Sequence, residues 1–155
     1  MEIRLAEKKD IGGILKLLGQ VNLVHHELRP DLFKVGTKYD AKQLEEMIGI
    51  PEDPIFIYPG ADGEVKGYLF CQSEEVEESP LRTGIRTLYI DDLCVDETAR
   101  WEGVGRALYE HVLSYAREKG YYNITLHVWG GNSAAEHFYR KMGMRDQYIC
   151  MEQVL

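Results

Sequence analysis

The residues from Arg100 to Arg106, Arg-Trp-Glu-Gly-Val-Gly-Arg, form a glycine-containing turn that leads into a helical pattern. A β-type segment ends at Val95, five residues before this turn begins. A turn that opens a helix presents free backbone N–H groups and the positive end of the helix dipole, which together bind phosphate groups. Glycine there lets a ligand approach the backbone closely. The segment therefore predicts a site for a phosphate or pyrophosphate.

Two common nucleotide-binding motifs do not match this turn. The P-loop motif requires Gly-Lys followed by Ser or Thr, whereas Gly105 is followed by Arg106 and Ala107. The dinucleotide motif Gly-x-Gly-x-x-Gly requires glycine at position 108, which is Leu108. We therefore expect neither a P-loop nucleotidase nor an NAD-binding module, although a short Gly-x-Gly alone is also compatible with a purely structural turn.

The elements that must position the turn follow from the hydrophobic periodicity. Alternating or continuous apolar runs predict strands at 2–6, 85–95, 122–128 and 144–153 and a hairpin at 54–76. Helical spacing predicts helices at 8–19, 41–48 and 103–119 and a short one that opens with the capping box Ser133–Glu136. This order predicts an α/β fold, layered in the α+β manner, with a mixed central sheet.

Composition places the chain among ordinary globular proteins. It has 155 residues, 45% hydrophobic and 28% charged, which fits one domain spanning 1–155. Its net charge of −8 disfavours nucleic acid, whose phosphates require a basic surface. No run approaches the roughly 18 apolar residues of a membrane span, and the first residues lack a signal-peptide core. We therefore expect a cytoplasmic protein with no membrane partner.

Cysteine and histidine spacing gives no sign of a metal site. Cys71, Cys94 and Cys150 are odd in number, far apart and each in an apolar run, which predicts three buried, reduced thiols. The five histidines form no His-Glu-x-x-His or similar ligand set. No metal is therefore expected.

Two longer patterns carry a resemblance to a known family. Arg100-x-x-Gly103-x-Gly105, placed after a strand that ends Leu-x-Val, resembles the acyl-CoA-binding motif of the GNAT N-acetyltransferase superfamily. Downstream, Asn132-x-x-Ala135-x-x-Phe-Tyr139-x-x-x-Gly is similar to a second motif of that superfamily. The opening Ile-Arg-Leu-Ala also resembles its first strand. The resemblance implies one N-acetyltransferase domain with a central sheet of about six to seven strands flanked by about four helices.

The resemblance also implies acetyl-CoA as the acyl donor and assigns its binding residues. The strand edge at Leu93, Cys94 and Val95 would pair with the amides of the pantetheine arm, like an added strand. The turn would hold the pyrophosphate through the segment that comprises Arg100, Trp101, Glu102, Gly103, Val104, Gly105 and Arg106. Asn132, with Ala135 in the same motif, would help to hold the arm, and Tyr139 would protonate the departing CoA thiolate.

Two residues depart from the pattern of that family. It often has a small residue where Trp101 stands and a basic or neutral residue where Glu102 stands. A carboxylate near a pyrophosphate is unfavourable unless it points to solvent, and Arg100 and Arg106 can offset it. We therefore expect a weaker or altered affinity for CoA.

Acyl transfer to an amine requires a base, because a primary amine with a pKa of about 10 is mostly protonated at pH 7. Asp91 matches a position where polyamine acetyltransferases of the resembled family carry an acidic residue, so it is the first candidate base and Asp92 the second. Strict alternation places Asp91 with Leu93 and Val95 on one face and Asp92 on the other, unless a bulge changes the register. Either carboxylate could instead bind the substrate ammonium or orient a loop.

These patterns predict direct attack of an amine on acetyl-CoA in a ternary complex. A covalent acyl-enzyme on Cys94 is disfavoured, since no histidine pairs with it at a readable spacing. The alternative function is a non-catalytic acyl-CoA sensor that keeps the fold without turnover. The acceptor stays open among a polyamine, an aminoglycoside, an amino acid and a protein N-terminus, and so does a homodimeric state.

Overall fold

The computed structural model describes residues 2–155 and is built around one five-stranded sheet. The strands are β1 (Arg4–Leu5), β2 (Ile55–Pro59), β3 (Val65–Val76), β4 (Ile85–Val95) and β5 (Asn123–Thr125), and they lie in the sheet in this order. The first four are antiparallel neighbours. The fifth is parallel to β4, because a helix carries the chain back to the start of the sheet between them.

Four helices cover the two faces of the sheet. They are α1 (Ile11–Leu28), α2 (Ala41–Met47), α3 (Val104–Glu118) and α4 (Ser133–Lys141). On one face, Ile14, Leu17 and Leu44 from α1 and α2 pack against the sheet. On the other face, Leu108 and Val112 from α3 do so. This sandwich of helices and sheet confirms the mixed α/β fold.

The strand count is lower than the expected six to seven, and the differences lie near the C-terminus. Residues 144–153 form no strand in the described chain, and the strand expected at 122–128 is reduced to 123–125. These two segments do not pair with each other in the described chain. Cys71 and Cys94 are buried free thiols, whereas Cys150 is exposed, so the expectation of three buried thiols is wrong for Cys150.

Helix boundaries depart from the expectations in two places. Helix α1 continues to Leu28, well beyond residue 19, and ends just before Pro30, which cannot continue a helix. Helix α4 is capped by Asn132 instead of Ser133, since the Asn132 Oδ1 accepts from the backbone N–H of Ala135 at 3.3 Å. Across residues 2–155, no helix is both long and apolar enough to cross a membrane.

Candidate active site

A β-bulge in β4 brings Asp91 and Asp92 to the same face of the sheet. In the pairing with β3, Phe70 lies opposite Asp92 and Cys71 opposite Ile90, so Asp91 is an extra residue. Ile90 and Leu93 consequently both pack on the α3 side, although strict alternation would separate them. The two carboxylates instead face α1 and α2, and the expectation that they lie on opposite faces is wrong.

The outer edge of β4 is open beside the bulge. Strand β3 pairs with β4 along its whole length, but β5 pairs with it only at residues 87–89. The backbone of Leu93, Cys94 and Val95 therefore has no strand partner on that side within the described chain. An extended amide-containing ligand can add there as a further strand.

The Cys94 side chain lies away from this edge. It is buried against α1, with its Sγ 3.5 Å from the carbonyl oxygen of Leu17. Burial raises the pKa of the Cys94 thiol to about 12. A thiol in that state is a poor nucleophile at neutral pH, which argues against a covalent acyl-enzyme.

The glycine-containing turn presents unpaired backbone donors. Gly103 adopts a left-handed φ of 80° immediately before α3 begins at Val104. None of the backbone N–H groups of residues 100–106 donates to an acceptor in the described part of the chain, and Ala107, which donates to Gly103, is the first that does. Free donors at the positive end of a 15-residue helix fit the pyrophosphate of a coenzyme A molecule.

Gly105 lies where the start of α3 meets β4 and α4. A Cβ at this position would lie 3.4 Å from Val95 Cγ2 and 3.5 Å from the Phe138 ring. These are ordinary van der Waals distances, so α3 is in contact with both β4 and α4 here, and packing alone does not require glycine at this position.

The two unusual residues of the turn point away from the protein. The Trp101 side chain is fully exposed and its backbone has a φ of 72°, a conformation that bulky residues rarely adopt. Glu102 is also exposed, so its charge is solvated. Arg106 is bound to Glu110 at 2.7 Å, which leaves Arg100 as the cation of the turn that makes no ion pair within residues 2–155.

Asp92 lies in a poorly solvated environment. Its Oδ2 accepts a hydrogen bond from the hydroxyl of the fully buried Tyr68 at 2.8 Å. Burial raises the pKa of Asp92 to about 6, and the hydrogen bond from Tyr68 limits the increase. A carboxylate with such a pKa is ionised at neutral pH and can still accept a proton.

Tyr139 packs on the opposite side of the sheet from Asp92. Its ring lies 5.1 Å from that of Phe138 and 6.3 Å from that of Tyr109. Burial raises the pKa of Tyr139, and the negative charge of nearby Asp92 raises it further. Its hydroxyl makes no hydrogen bond to any of residues 2–155, so it is available to a ligand at the open edge of β4.

Asp91 already holds a cation. Its carboxylate binds the ammonium of Lys38 at 2.7 Å and accepts from the hydroxyl of Tyr39, also at 2.7 Å. The Asp91 side chain is only 8% exposed. It borders a cavity of about 200 Å³ whose lining includes Tyr39, Phe70, Met47, Ile50, Asp53 and Asp91. An acidic and aromatic cavity of this kind suits an alkyl ammonium group.

Sequence reasoning missed Lys38, Tyr39 and Tyr68. The first two lie in the irregular connection between α1 and α2, where no motif marks them. Tyr68 lies opposite Cys94 on β3, two pairs away from Asp92, and its contact with Asp92 depends on how β3 pairs with β4.

The second motif is placed beside the open edge through α4. Asn132 uses its side-chain oxygen to cap the helix, and Ala135 lies in the first turn. The Asn132 side-chain NH₂ group, which donates nothing within the described chain, is the part that can contact a ligand. No group of three or more potential metal-binding side chains occurs in residues 2–155.

Comparison with known proteins places this geometry in a family. The sequence profile of the acetyltransferase (GNAT) family matches residues 21–144. Thialysine N-epsilon-acetyltransferase from Sus scrofa is 28% identical, covering 93% of this chain and 84% of the relative. Streptothricin acetyltransferase from Streptomyces lavendulae is 33% identical, covering 57% of this chain and 42% of the relative, so the chain spans less than half the length of that protein.

A solved structure has nearly the same fold. The tetramutant of the BH1408 protein from Bacillus halodurans superposes with a TM-score of 0.95 and 29% sequence identity, with all of each chain covered. The match to the family profile extends over most of the chain and includes both motifs that flank the open edge of β4. The chain therefore belongs to the acetyltransferase (GNAT) family.

Proposed function

We propose that this protein is an N-acetyltransferase that moves the acetyl group of acetyl-CoA to a primary amine by direct attack in a ternary complex. The observation that carries the proposal is the open edge of β4, which leads from the Asp92 carboxylate to the unpaired N–H groups of the turn at residues 100–106. The edge would thus offer strand pairing, anion binding and acid–base groups to the same ligand. Family membership supports the same reaction.

The donor would bind largely through the backbone. The N–H groups from Trp101 to Arg106 would hold the pyrophosphate, while the edge at Leu93–Val95 would pair with the pantetheine amides. The Asn132 side-chain amide would add a hydrogen bond from α4. When bound, acetyl-CoA supplies the acetyl thioester that the amine attacks.

Asp92 is our candidate for the base, in preference to Asp91. Its pKa of about 6 lies near neutral pH, where a general base works best. One of its oxygens is held by Tyr68, which fixes the carboxylate and leaves the other oxygen for the amine proton. Asp91, by contrast, has both oxygens engaged by Lys38 and Tyr39.

Tyr139 is the candidate acid. It lies on the other side of the open edge from Asp92, so the two groups can act on opposite ends of the reaction. As the amine nitrogen bonds to the carbonyl carbon, Asp92 takes the amine proton. As the carbon–sulfur bond breaks, Tyr139 donates its hydroxyl hydrogen to the sulfur. Its raised pKa keeps that hydrogen in place until charge develops there.

Asp91 would bind a positively charged group of the acceptor. In the structure Lys38 places an ammonium on this carboxylate, which supports the binding of a cationic group there. Tyr39 and the adjoining cavity would contact the alkyl part of such an acceptor. The porcine relative is named for N-epsilon acetylation of thialysine, which is in keeping with an acceptor that carries amino groups.

A coupled assay of thiol release tests this function. The purified protein is mixed with acetyl-CoA and a panel comprising a diamine, an amino acid, an aminoglycoside and a peptide, and free CoA is measured with a thiol reagent. We expect release with at least one amine and product mass increased by one acetyl group. Thermal stabilisation by acetyl-CoA without release from any acceptor would favour the alternative, a sensor without turnover.

A further inference from the structure

One lysine of the chain lies in the candidate acceptor site. The Lys38 ammonium is 2.7 Å from Asp91 Oδ1, on the face of β4 that also carries the Asp92 carboxylate. Among the lysines of residues 2–155, it is the one whose ammonium forms an ion pair with a carboxylate of β4. The protein therefore brings an amine of its own to the place proposed for an external acceptor.

The chain on either side of Lys38 is anchored to the rest of the fold. Before it, the carbonyl oxygen of Lys34 accepts a hydrogen bond from Asn22 Nδ2 on α1 at 2.7 Å. After it, the Tyr39 ring stacks on that of Phe70, with 5.7 Å between the ring centroids. Lys38 thus lies on a short stretch that is fixed at both ends, so the fold itself sets the reach of its ammonium.

The same ammonium acts on the adjacent carboxylate. Burial raises the pKa of Asp92 to about 6, while the hydrogen bond from Tyr68 and the positive charge of Lys38 each lower it. The bulge places Asp91 and Asp92 side by side on one face. Because the lysine stem is flexible, a rotation of it can carry the nitrogen from Asp91 to Asp92. Lys38 can therefore give a proton to the candidate base.

The Lys38 nitrogen is open to a bound donor. Its side chain is 47% exposed, whereas that of its partner Asp91 is buried. Under the proposed function, the pantetheine arm runs along Leu93–Val95 towards Asp92, so its terminal thioester ends beside the two carboxylates. The thioester and the lysine nitrogen then meet on the same face of β4.

We propose that the protein acetylates the ε-amine of its own Lys38 when no external amine occupies the site, an inference that rests on the proposed function. An amine tethered to the same chain needs no association step and competes at an effective concentration of about mM. Lys38 is consequently the first amine that the thioester of a bound donor meets.

The reaction balances with the groups already described. The Lys38 ammonium loses one proton through Asp92 to solvent. The neutral nitrogen bonds to the acetyl carbonyl carbon and loses a second proton to Asp92 as the carbon–sulfur bond breaks. Tyr139 gives its hydroxyl hydrogen to the sulfur and regains one from solvent. Acetyl-CoA and the lysine ammonium thus become an acetylated lysine and free CoA, with one proton released.

The test is incubation of the purified full-length protein with acetyl-CoA and no other amine, followed by intact mass and peptide mapping. We expect a gain of one acetyl group, located at Lys38. Lys34 is the internal reference for chemical acetylation, because it is exposed and lies on the same connection between α1 and α2. Lys38 should be modified at least about tenfold faster than Lys34, since its nitrogen is held beside the base.

Variants and dilution locate the reaction. Lys38→Arg keeps a cation beside Asp91 and should gain no acetyl group, whereas the matched control Lys34→Arg should gain one as the wild type does. Asp92→Asn should slow the acetylation of Lys38 by about 10²-fold or more. The rate per molecule should not change with protein concentration, because the transfer occurs within one chain.

The outcomes distinguish this inference from the proposed function. If the protein releases CoA with an amine of the panel but modifies Lys38 no faster than Lys34, the inference is wrong and the proposed function stands. If neither reaction occurs, both are wrong. A rate per molecule that rises with protein concentration would also overturn the inference, since it would show transfer between copies.

Discussion

Asp91 and Asp92 are adjacent carboxylates in different electrostatic environments. Asp91 is neutralised by Lys38, whereas Asp92 has only the neutral hydroxyl of Tyr68 as a side-chain partner. Burial without a bound cation raises the pKa of Asp92 to about 6. One residue thus suits cation binding and the other suits proton transfer.

Replacing Asp92 by Asn should lower kcat by about 10²–10⁴-fold, because the amine loses its proton acceptor. In the wild type, the rate should decline as pH falls below about 6, where Asp92 becomes protonated. The variant should lack this acidic limb. Steady-state rates between pH 5 and pH 9 measure both effects. A variant that keeps the limb would assign the proton transfer to another group.

The fold of this variant can be checked through its stability. A raised pKa in the folded state means that ionisation of Asp92 costs stability as pH rises from about 4 to about 6. Asn avoids this cost and can still accept the hydrogen bond from Tyr68. Asp92→Asn should therefore be at least as stable as the wild type at pH 7 in urea unfolding.

Replacing Asp91 by Asn should weaken acceptor binding more than catalysis. Loss of a charged contact to the acceptor ammonium should raise its KM by about 10- to 100-fold with kcat nearly unchanged. Lys38→Met should have the opposite effect, since it removes the competing ammonium and leaves Asp91 free. If kcat in Asp91→Asn fell by as large a factor as KM is expected to rise, Asp91 would instead lie at the reacting amine.

Replacing Tyr139 by Phe removes one hydroxyl and keeps the ring that packs on Phe138 and Tyr109. We expect kcat to fall by about 10²-fold, the low end of the range for general-acid catalysis. The raised pKa of Tyr139 limits proton transfer to sulfur. Acetyl-CoA affinity should change by less than about 1.5 kcal/mol, measured by titration calorimetry. Tyr109→Phe serves as the control, and wild-type turnover in Tyr139→Phe would make this residue structural.

At the scale of elements, the bulge in β4 decides how the site is built. The sequence predicts the bounds of β4 correctly at 85–95, because a long β-type run is a local signal. The bulge depends on how β3 pairs with it, and no local pattern carries that information. Hence the positions of Asp91 and Asp92 along the chain could be predicted, while their common face could not.

The other agreements and differences between the predictions and the structure have the same origin, since local signals can be predicted and tertiary contacts cannot. The turn at 100–106 and the start of α3 were predictable because glycine and helix periodicity are local. Lys38 and Tyr39 reach Asp91 from more than fifty residues away, and this contact depends on tertiary packing. The segment at 144–153 has β-type residues but no strand partner in this chain, and β propensity alone does not provide one.

The strained backbone of the turn gives a prediction about its ligand. Replacing Trp101, at φ 72°, by Gly should raise the free energy of unfolding by about 0.5–1 kcal/mol, because relief of the left-handed strain exceeds the entropy cost of glycine. Trp101→Ala keeps the Cβ and should give no such gain. Both variants remove the indole and keep the backbone N–H.

The same two variants show what binds the donor. If the backbone holds the pyrophosphate, acetyl-CoA at a hundredfold excess over its Kd should stabilise each variant by about 2.7 kcal/mol, as in the wild type. Thermal unfolding with and without acetyl-CoA makes the measurement. If acetyl-CoA stabilised neither variant, the indole of Trp101 and not the backbone would bind the donor.

At the scale of the whole molecule, an ion pair joins the two helical layers around the end of the sheet. Asp96 follows β4 directly and is fully buried, and its Oδ2 binds the ammonium of Lys16 on α1 at 2.9 Å. Its other oxygen accepts from the backbone N–H and the hydroxyl of Thr98, in the turn that leads to α3. One carboxylate thus fixes the α1 layer to the segment that carries the phosphate-binding turn.

This carboxylate should contribute to the acid sensitivity of the fold. Although burial opposes ionisation, hydrogen bonds from Thr98 and Lys16 lower the pKa of Asp96 to about 2. A lowered pKa in the folded state means that the contribution is complete above about pH 4 and is lost as pH falls toward 2. Asp96→Asn keeps the acceptor for Thr98 and removes the charge that binds Lys16.

We therefore expect Asp96→Asn to lower the free energy of unfolding by about 1–3 kcal/mol at pH 7, the range for a hydrogen bond to a charged group. The difference from the wild type should shrink as pH falls from 4 to 3, because the wild-type carboxyl then begins to be protonated. Urea unfolding at pH 7, 4 and 3 measures it. Asp62→Asn removes an exposed ion pair with Lys66 and should leave the free energy of unfolding nearly unchanged at each pH. If Asp96→Asn matched this control at pH 7, the ion pair would have no measurable part in the stability of the fold.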